Sequence, residues 1–435
     1  MPQRNMKAIS FLAWGAIAWL TFGAPAGQAA NWPQWRGPFL NGSTTETNLP
    51  DSWSKTENVL WSTPLPGPSH ATPIVWDDAV FVSSPDPDGN LNLVCLDRKS
   101  GQARWQKPVG LGNRSRGRNN MASPSPVTDG KTVWALFGTG DLAAFDFSGK
   151  QLWARSLTKD FGAFVLNWIY GSSPMLYKGR LYVEVLRRMP GESFLLCLDP
   201  QTGSNIWRHV RPTDAVAESQ EAYSTPMPSE CGGRTEIIVA GGDYVTGHDA
   251  ETGEELWRGG GMRNFQHRPD SRLVPSPVLA DGLVFVCGAK RNPFLAFHDC
   301  GKGDITTNGL AWSYVEYSTD CCTPLFYQEK LFMLDGDKQM MVCFDPTTGL
   351  VHWKQPLGVK EIFRASPTGA DGKLYCFSEY ATAVVMSAED GKILQTIPMG
   401  EGAQTDAGLS HSTIAAAQGC LFVRAPGRLY CVGKK

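Results

Sequence analysis

The sequence predicts an all-β chain folded as an eight-bladed β-propeller of four-stranded blades. Three observations predict it: short apolar runs bounded by Gly, Pro and Asp, a repeat of about 50 residues, and termini that each carry part of one repeat. Runs this short and this often interrupted are typical of strands rather than helices. A repeat of this length, built from four such runs, is typical of a propeller blade.

The clearest copy of the repeat runs from Cys321 to Lys354 and contains four apolar runs. A Thr-Pro dipeptide opens it, polar turns separate its runs, and the last run holds Trp353. An eighth copy of the dipeptide, Ser412-Thr413, has lost its Pro. The other copies keep Thr or Ser before Pro: Thr72-Pro73, Ser125-Pro126, Ser173-Pro174, Thr225-Pro226, Ser276-Pro277, Thr323-Pro324 and Ser366-Pro367.

A Gly followed four residues later by a Trp marks the last strand of most repeats. The fifth repeat lengthens this spacing to Gly303 and Trp312, and the seventh has Gly391 without a Trp. The regular copies are Gly101/Trp105, Gly149/Trp153, Gly203/Trp207, Gly253/Trp257 and Gly349/Trp353.

The two ends of the chain each hold part of the eighth repeat. The C-terminal copy stops after three strands, and a fourth is available as Val59-Leu60-Trp61-Ser62. Pairing this N-terminal strand with the last blade closes the ring and removes an exposed sheet edge. The propeller is therefore predicted over residues 58–435.

The first 57 residues have a different composition. Arg4 and Lys7 precede an apolar run, and small residues follow it, which predicts a secretory signal peptide over residues 1–30. The run from Ile9 to Phe22 is short for a membrane anchor, which is the alternative. Residues 31–57 form an irregular lead-in, whose Trp residues we expect to hold it against the body. The expected location is periplasmic or secreted, without stable membrane insertion.

The segments SPVLADGLVFV, LLCLDPQTGSNIW and TGHDAETGEELW resemble the repeat of quinoprotein-like β-propellers. That family holds pyrroloquinoline-quinone (PQQ) dehydrogenases and non-enzymatic members such as the assembly factor BamB, and the lead-in WPQWRGP is similar to that of secreted members. The resemblance implies that the recurrent Trp docks between neighbouring blades. This role would fall to Trp61, Trp105, Trp153, Trp207, Trp257, Trp312 and Trp353.

One face of such a propeller is expected to carry short turns and the other the long links between blades, where sites are usually built. The residues just before each Thr/Ser-Pro should line the mouth of the central channel on the long-link face. We expect a ligand site there, with an ordinary wet channel as the alternative. Its candidate residues are His70, Asn120, Tyr170, Tyr223, Asp320, Cys321, Arg364 and His411.

The long links are also basic, which predicts either a solvated rim or an anion-binding surface. The residues concerned are Arg114, Arg116, Arg118, Arg263, His267, Arg268 and Arg272.

The adjacent Cys321 and Cys322 have two interpretations. PQQ alcohol dehydrogenases resemble this chain in having a ring disulfide of adjacent Cys beside the quinone, with calcium held by Glu, Asn and Asp. No clear Glu-Asn-Asp set is found near the predicted mouth. The preferred interpretation is that Cys322 fills a slot taken by small residues in other repeats. Four further Cys share one repeat position and are predicted to be core: Cys95, Cys197, Cys343 and Cys431.

The expected function is a binding or assembly scaffold that holds a protein, glycan or polar ligand, with no catalytic or metal site and no cofactor. A net charge of −2 does not indicate nucleic-acid binding. The alternative is a PQQ-dependent dehydrogenase with calcium, in which Asp320 acts as base. A hydrolase or lyase would need His70 and His411 clustered beside an acid.

Overall fold

The computed structural model describes residues 30–262, 271–288, 292–400 and 409–434. These residues form eight four-stranded antiparallel blades around a central axis, which confirms the predicted fold class. The predicted signal peptide and the basic residues Arg263, His267 and Arg268 lie outside the described residues.

The first four blades follow one another along the chain, each running from an inner to an outer strand. Blade 1 comprises Ile74–Trp76, Ala79–Pro85, Asn90–Asp97 and Ala103–Leu111. Blade 2 comprises Val127–Thr128, Thr132–Leu136, Asp141–Asp146 and Gln151–Ser156. Blade 3 comprises Met175–Tyr177, Arg180–Val185, Phe194–Leu198 and Asn205–Val210. Blade 4 comprises Met227–Cys231, Arg234–Gly241, Tyr244–Asp249 and Glu255–Gly259.

The last four blades repeat this order. Blade 5 comprises Val278–Ala280, Leu283–Cys287, Phe294–His298 and Leu310–Tyr314. Blade 6 comprises Leu325–Tyr327, Lys330–Asp335, Met340–Phe344 and Val351–Pro356. Blade 7 comprises Thr368–Ala370, Lys373–Phe377, Thr382–Ser387 and Ile393–Pro398. Blade 8 comprises Ala415–Ala417, Cys420–Ala425, Arg428–Gly433 and, from the other end of the chain, Val59–Pro64.

A few short elements lie in the links. Leu157–Phe161 is a short helix, Ala217–Gln220 is a 3-10 turn, and Ser115–Arg116 pairs with Asn119–Asn120 as a small hairpin. The predicted ring closure is confirmed, because Trp61 pairs with Cys431 and Thr63 with Leu429 in antiparallel register.

The middle strands of each blade are buried on both faces because blades pack against neighbours on either side. Ala79–Pro85 is buried throughout, whereas the outer strand Ala103–Leu111 is largely exposed. This explains why the apolar runs in the sequence are continuous instead of alternating. Cys95, Cys197, Cys343 and Cys431 are buried, unpaired thiols in these strands, as predicted.

Most seams between blades are built on the recurrent Trp and Gly. The indole Nε1 of Trp105 in blade 1 donates to the carbonyl of Phe147 in blade 2 at 3.0 Å. A Cβ on Gly149 would lie 2.9 Å from the Trp105 ring, so glycine lets the ring approach the turn. Five other indoles donate in the same way to the next blade: Trp61 to Arg98, Trp153 to Pro200, Trp207 to Ala250, Trp312 to Pro346 and Trp353 to Glu389.

The seam between blades 4 and 5 differs. Trp257 donates to the carboxylate of Glu236 in its own blade, at 2.7 Å. The longer turn of blade 5 adds Gly303–Asp304 as a parallel strand beside Trp257 and Arg258. A disulfide between Cys231 and Cys300 joins the two blades, with Cα atoms 5.4 Å apart. The sequence did not indicate this bond, because the two Cys lie in different repeats.

Candidate functional site: an axial cavity

A cavity of about 970 Å³ lies on the propeller axis. Each blade reaches it through the residue just before its inner strand, since this position faces the axis. Ser410 occupies this position before blade 8 but is buried, with its hydroxyl donating to the Arg424 carbonyl, and His411 lines the cavity instead. The other predicted mouth positions all line it: His70, Ser123, Gly171, Tyr223, Val274, Cys321 and Arg364.

The lead-in crosses the end of the axis that carries the short turns. Trp32 exchanges two backbone hydrogen bonds with Val75 of blade 1, and Thr44 donates to Gly369 of blade 7. Between them Trp35 lines the cavity. The lead-in therefore forms a floor to the cavity, leaving the long-link face as its mouth.

Arg36 fixes this floor. Its guanidinium is fully buried and donates to the carbonyls of Pro367 at 3.0 Å, Pro324 at 2.7 Å and Asn41 at 3.1 Å. Burial lowers the pKa of Arg36 to about 9. A Cβ on Gly42 would lie 2.0 Å from this guanidinium, so only glycine fits beside it.

A ring of hydroxyls surrounds the cavity above the floor and explains the recurrent Thr/Ser-Pro. In six consecutive steps, the backbone N–H of this Thr or Ser donates to the hydroxyl of its counterpart one blade on, at 2.7–3.0 Å. The sequence separations of these bonds, 53, 48, 52, 51, 47 and 43, are the spacings of the repeat itself. We call the accepting residues the hydroxyl belt: Ser125, Ser173, Thr225, Ser276, Thr323 and Ser366.

The mouth holds a buried carboxylate that the sequence analysis missed, Glu379. Arg118 donates to both of its oxygens, at 2.8 and 2.6 Å, and Nε2 of His411 lies 3.1 Å from Oε1. Arg364 is a third partner, with its Nε 3.6 Å away. Burial acts to raise the pKa of Glu379, but these three partners together hold it below the usual value.

A second buried carboxylate, Asp320, lies across the mouth. Nη1 of Arg272 lies 2.9 Å from it and Nη1 of Arg364 lies 3.2 Å from it. Arg364 also contacts Asp337 at 2.8 Å, and nearby anionic groups raise its pKa against the effect of burial. Burial raises the pKa of the neighbouring Cys321 thiol to about 12. The cations of the mouth are therefore paired within the protein.

His70 and His411 stack face to face beside Glu379, with ring centroids 4.1 Å apart. Burial first, and His411 second, hold the pKa of His70 well below its usual value. Burial also lowers the pKa of His411, although Glu379 acts in the opposite direction. Both rings are therefore neutral at pH 7, and Nε2 of His411 donates to Glu379.

Two candidate residues, Asn120 and Tyr170, do not lie at the cavity. The Asn120 amide donates to the Pro68 carbonyl at 3.0 Å, and the Tyr170 hydroxyl donates to the Glu184 carbonyl at 2.7 Å. Both side chains are buried because their links fold back on the blades. Neighbours in the same links take their place, since Asn119 and Trp168 line the cavity.

The residues present do not fit PQQ with calcium. Cys321 and Cys322 are free thiols, and Cys322 is fully buried with its Sγ 3.5 Å from the Phe363 carbonyl. Asp320, expected as base, is held by two arginines. Since the mouth arginines already pair with carboxylates, they offer little to the carboxylates of a quinone. Among the described residues, the one group with metal-ligand geometry is Cys231, Asp299 and Cys300, at the disulfide.

Fold and cavity together define a propeller of the PQQ-like repeat class. A family model described as outer membrane protein assembly factor BamB matches residues 52–167, 191–321 and 306–435. These matches cover most of the chain, so the chain belongs to this family, and the resemblance seen in the sequence is confirmed.

Solved structures with the same fold include both BamB and a quinohemoprotein alcohol dehydrogenase. BamB from Moraxella catarrhalis is 12% identical, with a TM-score of 0.59, covering 86% of this chain and 98% of that chain. Quinohemoprotein alcohol dehydrogenase from Comamonas testosteroni is 12% identical, with a TM-score of 0.66, covering 93% of this chain and 81% of that chain. At these identities the likeness shows the fold alone.

One curated relative matches over a short segment. Quinohemoprotein alcohol dehydrogenase ADH-IIG of Pseudomonas putida is 34% identical over 89 residues, which is 19% of this chain and 11% of that enzyme. The chain thus covers about a tenth of that relative's length. Within the described ranges, no helix is long and apolar enough to cross a membrane.

Proposed function

We propose that this chain is an exported binding propeller that takes an oligosaccharide into its axial cavity from the long-link face. The observation that carries the proposal is the cavity of about 970 Å³, floored by the lead-in and lined from every blade by polar and aromatic groups. A volume of this size suits a small-molecule or chain-end ligand.

The chemistry of the wall supports a sugar. Trp35, Trp168 and Tyr223 offer aromatic faces for the apolar faces of sugar rings. The carboxylate oxygens of Asp320 keep lone pairs beyond those that face its two arginine partners, and these can accept from sugar hydroxyls. Because the charges of the mouth are already paired, a ligand that needs no neutralising partner there is favoured.

Location and partners follow the same proposal. The N-terminal sequence has the layout of a signal peptide, and the family is described as an outer membrane assembly factor, which together support a periplasmic or secreted protein. A protein partner on the long-link face is compatible with that description. The cavity would then hold a glycan while the surrounding links contact the partner.

Gly171 offers a direct test. It lines the cavity, and a Cβ there would meet only ordinary contacts, 3.7–3.9 Å from Asn119, Ser123 and Tyr223. Gly171→Leu should fill the mouth and abolish oligosaccharide binding without unfolding the chain. Gly171→Ala, which adds only a methyl group, should bind nearly as the wild type does.

Calorimetric titration with neutral and acidic di- to tetrasaccharides measures both variants, with circular dichroism as the folding control. Absence of binding to every sugar in the wild type would contradict the proposal. Equal binding by Gly171→Leu would place the ligand elsewhere.

A second candidate, hydrolysis, rests on the Glu379–His411 contact and the stacked His70. With Nε2 of His411 donating to Glu379, its Nδ1 is the basic nitrogen that takes a proton from an attacking water as the glycosidic C–O bond breaks, and the same proton then passes to the departing sugar oxygen. Release of reducing ends from bound oligosaccharides, lost in His411→Phe while binding persists, would support this candidate. Binding without turnover would rule it out.

The quinone alternative is not part of the proposal, because the donor set does not fit it. Titration of the purified chain with PQQ and calcium should leave the quinone absorbance unchanged. A spectral shift that requires Cys321 would overturn this expectation.

A further inference from the structure

We propose that the hydroxyl belt forms an oxyanion site deep in the cavity, which receives the acidic group of the ligand and is favoured by the charge of the nearby buried Arg36. The chemistry is that of a carboxylate or a sulfate ester carried by the oligosaccharide. This inference rests on the proposed function and specifies the class of sugar as acidic.

The belt supplies convergent hydrogen-bond donors. Five of its six members line the cavity: Ser125, Ser173, Thr225, Thr323 and Ser366. Each hydroxyl oxygen accepts a backbone N–H from the preceding blade. Within the described ranges none of these hydroxyls donates to a protein acceptor, so each retains an O–H for a ligand. Several donors without nearby acceptors favour a group that only accepts, such as a carboxylate or sulfate.

Arg36 is the independent second observation. Its side chain is fully buried, its acceptors are carbonyl oxygens, and its Nε is buried with no partner in the described part of the chain. No carboxylate forms an ion pair with it among the described residues. A buried charge without a counter-ion is costly, and an anion placed nearby offsets this cost.

Arg36 lies next to the belt. The carbonyls that it binds belong to Pro324 and Pro367, which directly follow the belt residues Thr323 and Ser366. Its positive charge therefore acts on the space that those hydroxyls surround.

The mouth has the opposite character, because its arginines face Asp320 and Glu379. An anion at the mouth would meet these carboxylates, whereas an anion at the belt would meet hydroxyl donors and lie near the uncompensated charge of Arg36, which does not itself line the cavity. The cavity thus directs an acidic group inward and leaves the neutral part of the sugar at the mouth.

The test uses two matched belt variants of the full chain. Ser173→Ala and Ser276→Ala each remove a hydroxyl that accepts one backbone N–H, but only Ser173 lines the cavity. Both should therefore lose similar stability, measured by urea unfolding. Binding of glucuronate, glucose 6-sulfate and glucose is measured by calorimetry at low salt.

The wild type should bind glucuronate or glucose 6-sulfate at least tenfold more tightly than glucose. Ser173→Ala should lose about tenfold of that preference, and Ser276→Ala should keep it. Tighter binding of glucuronate identifies a carboxylate as the acidic group, and tighter binding of the sulfate identifies a sulfate ester.

Equal affinity for glucose and both acidic sugars would overturn the oxyanion site while leaving the proposed sugar binding intact. Equal loss in both variants would show a structural effect and overturn it too. Failure of these monosaccharides and also of the di- to tetrasaccharides to bind would instead remove the proposed function itself.

Discussion

The two ends of the axial cavity are built on different physical principles. At the floor, Trp35 and Arg36 come from an irregular lead-in, and the single buried cation binds only neutral carbonyls. At the mouth, the carboxylates Asp320 and Glu379 are each shared by two or more cationic or imidazole partners. The mouth should tolerate the loss of one partner of these carboxylates, because the other partners remain. The floor depends on the single side chain of Arg36.

The largest difference between the ends is expected from removing one arginine at each. Arg36→Met leaves the carbonyls of Pro324 and Pro367 without these donors, at a cost of about 3 kcal/mol of unfolding free energy. Arg118→Met removes a partly exposed arginine from Glu379, which keeps His411, and should cost about 1 kcal/mol.

Urea unfolding of both variants beside the wild type measures this difference. Equal destabilisation by Arg36→Met and Arg118→Met would contradict the view that one cation stabilises the floor while several share the mouth. Arg36→Lys serves as control, because it keeps the charge but not the geometry of the guanidinium.

The next effect concerns pH, because the mouth contains histidines and the floor does not. The pKa values of His70 and His411 are lowered in the folded state, so the unfolded chain binds more protons below pH 6.5 and stability falls as pH falls from 7 to 5. The pKa of Glu379 is also lowered, and its contribution is lost only at lower pH, as the pH falls through its folded value.

His70→Phe should reduce the loss of stability between pH 7 and 5 by on the order of 1 kcal/mol. Melting temperatures at the two pH values measure it. Part of the acid sensitivity should remain, because burial also lowers the pKa of His209 and of His248, the latter to about 3. An unchanged pH dependence would contradict a lowered pKa of His70 in the folded chain.

The smallest effect distinguishes the two adjacent cysteines. Cys322→Ser places a hydroxyl in a fully buried slot, where the Phe363 carbonyl can accept from it, and should cost about 0.5 kcal/mol. Cys321→Ser, at the cavity wall, should be nearly neutral. Because burial raises the pKa of Cys321 to about 12, its alkylation by iodoacetamide at pH 8 should be slow. Rapid modification would indicate that Cys321 is a thiolate at pH 8, which would contradict its burial as a neutral thiol at the mouth.

The fold could be predicted from the sequence because the repeated dipeptides mark the same structural position in every blade. The Thr/Ser-Pro spacing equals the separation of the belt hydrogen bonds, and Val59 to Ser62 matched the strand missing from blade 8. The same register located His70, Tyr223, Cys321 and Arg364 at the cavity.

The rest of the site depends on contacts that no repeat encodes. Glu379 lies in the turn after the second strand of blade 7 and is not in a long link, and only the fold brings it to Arg118, 261 residues earlier. The signal in the sequence that could have identified Glu379 was a charged residue at the end of an apolar run. The floor was hidden for a similar reason, because the path of an irregular lead-in has no periodicity to follow. Cys231 and Cys300 meet only because neighbouring blades pack side by side.

Closure of the ring by opposite termini has a consequence for biosynthesis. The strand that contains Trp61 is made long before its partner around Cys431. Seven blades can assemble from nearby segments while the chain is still growing, but the eighth waits for the strand around Cys431. Loss of the strand around Cys431 would therefore leave the Trp61 strand without its partner and blade 8 with an open edge. Contacts between such distant segments form slowly, so this closing step is expected to limit the folding rate of the whole molecule.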